Sequence, residues 1–386
     1  MKNNNEIPTI GIDASRAFGN ARTGTENYSY QLLQAIARYN CQYNFCLFLR
    51  PGQTVPTEFA PPKFETRLVD WPRLWTQGGL AWETWRRPVD LLFIPAHVIP
   101  FLKNPRVPVV VTVHDLRTEF LPQSSSLIQK IYLNRYTEQL RSRLAAHIIA
   151  VSEATKKDLV ERLGVDPDKI MVVYEGVDDS RFAPKIQNSK FKIRKVKEKY
   201  RIGERYILFV GTVQPRKNLV RLVEAFSILN SQLSTLNLRL VIAGKKGWAT
   251  EEIYAAPQKY GVEERVKFID YVDDADLPYL YAGAEVFAFP SLYEGFGLPI
   301  LESLASGTPV VTSNVSSMPE VGGDAVIYVD PHNAQSIADG LTESLTTPFD
   351  HEKAQHQVNK FSWDKAAKET IRVFDRILGG KRGLFQ

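Results

Sequence analysis

The sequence predicts an α/β protein made of two Rossmann-like halves, each a doubly wound parallel sheet. Three observations predict it. Short apolar runs recur along the chain, each closed by Gly, Pro, His or Asp and followed by a helix-compatible stretch, the βα rhythm of buried parallel strands. That rhythm breaks over residues 166–201 and restarts at Arg205-Tyr-Ile-Leu-Phe-Val210. At 386 residues the chain also exceeds what one core usually serves.

In the first half, residues 7–14 (Ile-Pro-Thr-Ile-Gly-Ile-Asp-Ala) read as a strand, followed by a loop over 15–24 and a helix to 39. The loop Gly19-Asn-Ala-Arg22-Thr-Gly24 has the gap of a Walker A loop but no lysine after the second glycine, which excludes an ATPase of that type. Strands are expected at 43–50, 64–70, 89–95 and 107–115. Between the second and third of these, Trp71, Trp75, Trp82 and Trp85 share fifteen residues with Arg73, and Arg86 and Arg87 follow directly. Tryptophan beside arginine suits a membrane interface or a sugar-binding face, whereas packing of a helix on the sheet suits Trp82 and Trp85 and is the favoured reading. The strand Val109-Val-Val-Thr-Val113 ends in His114-Asp115, placing a histidine at a strand end, where sites form. His97 is a second, weaker strand-end histidine. A helix over 126–144, a strand over 147–151, a helix over 153–163 and a strand over 171–174 complete this half.

The second half opens with the strand 205–210 and the loop Gly211-Thr-Val-Gln-Pro215-Arg216-Lys217-Asn218. Two adjacent cations ahead of a helix make an anion clamp, arginine as a fork and lysine as a point charge. Strands are expected at 238–243 and 266–269. Asp273-Asp274-Ala-Asp276 invites a metal reading, but helical sequence follows from Leu277, so these acids are read as a cap and first turn. The stretch 285–312 then reads strand–loop–helix–strand: Val286 to Phe289 is stopped by Pro290, and Pro299 suits the first turn of a helix over 298–306 that ends at Gly307. Its loop carries Glu294 and three residues, Gly295, Phe296 and Gly297, whose amides stand at a helix N-terminus. Glu302 leans back toward them along the helix. Two carboxylates and an anion-binding turn suit a phosphorylated sugar or a nucleotide. On spacing alone, an ordinary βα loop with a solvated Glu302 is an equal reading. Phe361-Ser362-Trp363-Asp364 opens a final helix with a serine cap.

The motif Glu294-x7-Glu302, inside E-G-F-G-L-P-I-L-E-S-L-A-S-G-T-P-V-V, resembles the donor-site motif of retaining GT-B glycosyltransferases of the GT4 family, also called glycosyl transferases group 1. The resemblance covers nearly the whole chain and is strongest from Gly211 to Asp330. It implies two facing Rossmann-like domains with a cleft between them: an acceptor-binding domain over 1–185 joined by a C-terminal helix, 362–386, that crosses back, and a donor-binding domain over 186–361. The implied activity is transfer of a hexose from a nucleotide diphosphate sugar to a hydroxyl of a glycan or lipid-linked glycan, in surface polysaccharide synthesis. UDP-glucose is weakly favoured as donor, with GDP-mannose next. By the same resemblance Glu294 and the Gly295–Gly297 amides hold the sugar, Glu302 the ribose, and Arg216 and Lys217 the leaving diphosphate. His114 lies beside the sugar, and Leu298 and Gly211 line the donor. Gly24 lies between acceptor and donor phosphate, a single glycine where many relatives carry two. No cofactor and no metal are expected.

Composition bounds the alternatives. A net charge of +5 is mild, although Lys190 to Arg201 packs seven basic residues into twelve. A solvated helical face is the favoured reading of that run; attraction to anionic lipid is the other. No nucleic-acid-binding signature accompanies it, so no nucleic-acid partner is expected. Cys41 and Cys46 lack any ligand or CxxC spacing and read as reduced packing residues. No apolar run spans a membrane and no signal-peptide core opens the chain, which reads as cytoplasmic with a peripheral position at the inner membrane face. A nucleotide-sugar epimerase of similar fold and a non-enzymatic nucleic-acid or anion-binding protein resting on the basic run are the competing readings. A phosphorylase would need a pyridoxal phosphate lysine motif, which is not seen.

Overall fold

The computed structural model describes residues 7–19, 24–71, 73–96, 98–116, 144–178, 180–182, 189–232 and 237–379. His97 and the helix expected over 126–143 lie outside them, as do residues 183–188 near the expected domain junction. The chain divides into two compact units, Met1–Gly176 with Trp363–Gln386, and Val177–Ser362.

The first unit carries seven parallel strands: β1 Thr9–Asp13, β2 Asn44–Leu49, β3 Phe64–Leu68, β4 Leu91–Ile94, β5 Val109–Val113, β6 His147–Ala150 and β7 Ile170–Val172. Their order is β3-β2-β1-β4-β5-β6-β7, which reverses direction between β1 and β4. The central strands are buried on both faces, as a sheet covered by helices requires. Each fully buried Val, Leu, Ile or Phe contributes about 1.5–3 kcal/mol of transfer free energy. β3, at the edge, buries only Phe64 fully. On one face Cys46, Phe48, Leu92, Ile94, Val109 and Val111 form a core with Trp75 and Leu80. The last helix, Trp363–Gly379, belongs to this unit. It packs through Phe374 on Phe93 and through Trp363 on Tyr28. Asp364 pairs with Arg38, and Asp375 accepts from the Tyr43 hydroxyl.

The second unit has six parallel strands: β8 Tyr206–Val210, β9 Arg239–Ala243, β10 Val266–Ile269, β11 Val286–Phe289, β12 Val310–Ser313 and β13 Ile327–Val329. Their order, β10-β9-β8-β11-β12-β13, reverses between β8 and β11. Stacked Phe209, Phe289 and Phe287 fill the sheet at that point. The two-sheet α/β organisation read from the apolar runs is therefore present, with strand ends shifted by a residue or two.

Two expectations are corrected. Trp82 and Trp85 do not pack on the sheet: they are 58% and 54% exposed, while Glu83 and Thr84 beside them are buried. The Thr84 hydroxyl accepts from the Asn104 amide, which ties that face of the helix inward. Asp276 stands at the N-cap of the Leu277–Ala282 helix but makes no side-chain cap bond. Its carboxylate accepts from Lys199 and Tyr200 instead, and Lys199 also holds Asp273, while Arg181 pairs with Asp274. These acids neutralise part of the basic Lys190–Lys199 helix, whose remaining cations include Lys192 on Tyr279 and Arg194 on Glu198. Among the described residues, no group of three or more His, Cys, Asp or Glu is placed to hold a metal ion.

Candidate active site

The site in the second unit is built at the point where its strand order reverses. Open α/β sheets leave a crevice there, beyond the carboxyl ends of the two diverging strands. The loop after β8 turns through Gly211, at φ +152°, into a short 3-10 turn Pro215–Lys217 and then Asn218 at φ +61°. Asn218 donates from Nδ2 to the Pro290 carbonyl at 3.0 Å and the Pro331 carbonyl at 2.7 Å, and the Leu292 amide donates to Arg216 O. The loops after β8 and β11 are thus stitched together by backbone and amide bonds. Gly244, just after β9, lies against them so closely that a Cβ there would meet Gly211 O at 2.0 Å.

Within this frame Arg216, Lys217 and Glu294 converge. Lys217 Nζ donates to Glu294 Oε1 at 2.5 Å, and Arg216 Nη1 donates to Glu294 Oε2 at 2.7 Å and to the Tyr293 carbonyl at 2.8 Å. Lys217 Nζ also lies 4.8 Å from the centre of the Phe289 ring. Burial alone would raise the Glu294 carboxyl, but the charges of Arg216 and Lys217 and the Lys217 hydrogen bond overcome it and hold its pKa down to about 2. A carboxylate so stabilised is a poor base; it accepts hydrogen bonds and holds cations in place. Ser317 braces the same loop, its hydroxyl bonding the Glu294 and Phe296 carbonyls at 2.9 and 2.6 Å.

Gly297, at φ +108°, is the N-cap of the helix Leu298–Ala305, with Pro299 in its first turn. Glu302 is buried on that helix and accepts from the Tyr281 hydroxyl at 2.9 Å. Burial, followed by the Glu302 charge, pushes the Tyr281 hydroxyl well above its ordinary pKa, so it donates and does not compete as an anion. The structure thus brings Arg216, Lys217, Glu294, Gly295, Phe296, Gly297, Leu298 and Gly211 to the carboxyl ends of the two central strands, with Glu302 on the adjoining helix.

In the first unit, His114 follows β5. Its Nε2 lies 2.9 Å from the Pro95 carbonyl and its Nδ1 3.3 Å from Glu175 Oε1. Tyr28 meets the imidazole edge-on at 4.5 Å and reaches Thr112 with its hydroxyl. Gly24 opens the helix Gly24–Arg38, and a Cβ there would meet nothing within 4 Å among the described residues. Sequence reasoning missed Glu175, Tyr281 and Ser317. The one available signal was position, since Glu175 and Ser317 both follow strand ends.

Known proteins place this geometry. A family model described as glycosyl transferases group 1 matches residues 190–363, and one described as glycosyltransferase family 4 matches residues 22–181. The chain is 33% identical to an O-antigen chain mannosyltransferase B of Escherichia coli over 69% of its length and 69% of that protein. The chain belongs to the family 4 glycosyltransferases. A serotype-specific mannosyltransferase of Escherichia coli is 32% identical over 65% of the chain, which spans only 31% of that longer protein. Among solved structures, a sucrose-phosphate synthase from Thermosynechococcus elongatus superposes with a TM-score of 0.73 at 17% identity, covering 97% of this chain and 100% of that one. The GT-B fold of this glycosyltransferase follows from that likeness. A nucleotide-sugar donor and a glycan acceptor are the substrates such an enzyme takes.

Proposed function

We propose that this glycosyltransferase moves a mannosyl group from a nucleotide diphosphate sugar to a hydroxyl of a glycan or lipid-linked glycan in surface polysaccharide synthesis, with retention at the anomeric carbon. The observation that carries it is the Arg216–Glu294–Lys217 cluster beyond the carboxyl ends of the second sheet's two central strands, beside the Leu298–Ala305 helix N-terminus. Charge develops on a diphosphate as its bond to the sugar breaks, and fixed cations with a helix N-terminus stabilise it there. Glu294, ionised throughout the physiological range, accepts from sugar hydroxyls and cannot serve as an acid. No protein nucleophile is required if the departing oxygen takes the acceptor proton on the same face. Glu302, oriented by Tyr281, accepts from ribose hydroxyls. Mannose replaces the weakly favoured glucose because two relatives of about one-third identity carry mannosyltransferase names.

A panel of nucleotide sugars, scored for free nucleotide and for product anomer by NMR, tests this reading. GDP-mannose giving an α-linked product supports it. Turnover of UDP-glucose alone overturns the sugar assignment, and an inverted product overturns the stereochemistry. Interconversion of the nucleotide sugar itself, without acceptor, indicates the epimerase.

A further inference from the structure

The exposed tryptophans have no role in the site just described. Trp82, Trp85 and Arg86 stand at i, i+3 and i+4 and so share one face of the helix Ala81–Arg86. All three point to solvent, and Leu102 beside them is 77% exposed. The Trp85 indole donates to Leu102 O at 2.8 Å, and Asn104 bonds Thr84 through backbone and side chain, so helix and loop form one continuous surface. Trp71, which lies against Gly78 and Gly79, extends it. Leu74 adds a side chain 78% exposed on a backbone held at φ +52°, a costly conformation for leucine.

Its charge is one-sided. From Asp70 to Arg106 the exposed charged residues are Asp70, Arg73, Arg86, Arg87 and Arg106, while Glu83 is buried under Arg86 and Arg87 and Asp90 is turned inward to the Thr9 amide. Amphipathic indoles among four exposed arginines, with Asp70 as the one exposed acid of the stretch, are the chemistry that settles at an interface between apolar chains and anionic headgroups. On the basic Lys190–Lys199 helix, Lys199 is drawn onto Asp273 and Asp276, Arg194 onto Glu198 and Lys192 onto the Tyr279 hydroxyl. Among the described residues no helix is long and apolar enough to cross a membrane, so contact would be at the surface.

We propose that this tryptophan–arginine face of the first unit docks the protein on a bilayer surface carrying anionic headgroups, the indoles entering the interface and Arg73, Arg86 and Arg106 meeting the headgroups. It stands independently of the donor assignment. The test is co-sedimentation of the full chain with phosphatidylglycerol-containing vesicles and with pure phosphatidylcholine vesicles. Binding is expected to the anionic vesicles, to fall with salt, and to be weak on the neutral ones. R86E/R106E should lower it about twenty-fold or more, at about five-fold per arginine. Trp82→Ala, which breaks none of the bonds named above, should lower it about ten-fold. Nucleoside diphosphate binding, measured alongside, should stay at the parent value in both variants and so report intact folding. Absent vesicle binding, equal binding to neutral vesicles, or indifference to both variants overturns the proposal. So does a dimer in sedimentation velocity that the same variants dissociate, which would make the face a contact between copies.

Discussion

Glu294 and Glu175 invite comparison. Each is a buried carboxylate beyond the carboxyl end of a strand in its own sheet, and each faces nitrogen. Glu294 meets two permanent cations at 2.5 and 2.7 Å, whereas Glu175 meets one imidazole nitrogen at 3.3 Å, the other being turned to Pro95. The first arrangement is a charge store: remove Glu294 and both cations lose the carboxylate they share. The second is an orienting contact that sets the angle of a ring. The difference teaches that the second unit buries a carboxylate between two cations, while the first fixes an imidazole through both of its ring nitrogens.

The contrast can be broken most directly at Glu294. Glu294→Ala leaves buried Lys217 without its carboxylate and should cost about 3–5 kcal/mol in urea unfolding. Glu175→Gln, which keeps an acceptor for His114, should cost about 0.5–1.5 kcal/mol. Equal costs would erase the distinction. Next, Arg216→Ala and Lys217→Ala should each lower turnover about 100–1,000-fold at saturating donor, with a smaller loss of donor affinity, since the cations act most strongly as the diphosphate departs. Near-parent turnover in both would assign the leaving-group charge elsewhere.

Acid sharpens the same point. The folded pKa of Glu294, about 2, lies below its ordinary 4.5. Its contribution to stability is therefore complete above about pH 4.5 and is lost as pH falls toward 2. The loss is on the order of 3 kcal/mol. Urea midpoints between pH 5 and pH 2.5 should fall less steeply in Glu294→Gln than in the parent; parallel curves would contradict the depressed pKa. The smallest effect expected on ligand binding concerns the helix carboxylate. Glu302→Ala should weaken nucleoside diphosphate binding by about 1.5–3 kcal/mol, as the loss of a charge-assisted hydrogen bond, and calorimetry showing no change would remove it from the ribose.

Much of this was legible before the structure. Val286-Phe-Ala-Phe289 and Val109-Val-Val-Thr-Val113 are fully buried strands because both sheet faces are covered, so a plain apolar run sufficed to find them. Arg216 and Glu294 were legible as strand-end residues, but not their direct pairing, which depends on β8 and β11 being neighbours across 78 residues of chain. Glu175 meets His114 across 61 residues, for the same reason. Trp82 and Trp85 misled because helical spacing defines a face without saying which way it turns. Burial of Glu83 and Thr84 decided that, through partners at Arg86, Arg87 and Asn104.

Gly244 limits how this glycosyltransferase can be altered. The atom its missing Cβ would strike is a backbone oxygen, Gly211 O, and Gly244 itself sits at φ +148°. Most steric faults in a protein can be repaired by trimming the side chain on the other side of the contact; here there is no side chain to trim. A substitution at Gly244 can be relieved only by displacing the main chain that leads to Arg216 and Lys217. Second-site screens starting from Gly244→Ala should accordingly return reversion to glycine, and no compensating change at position 211.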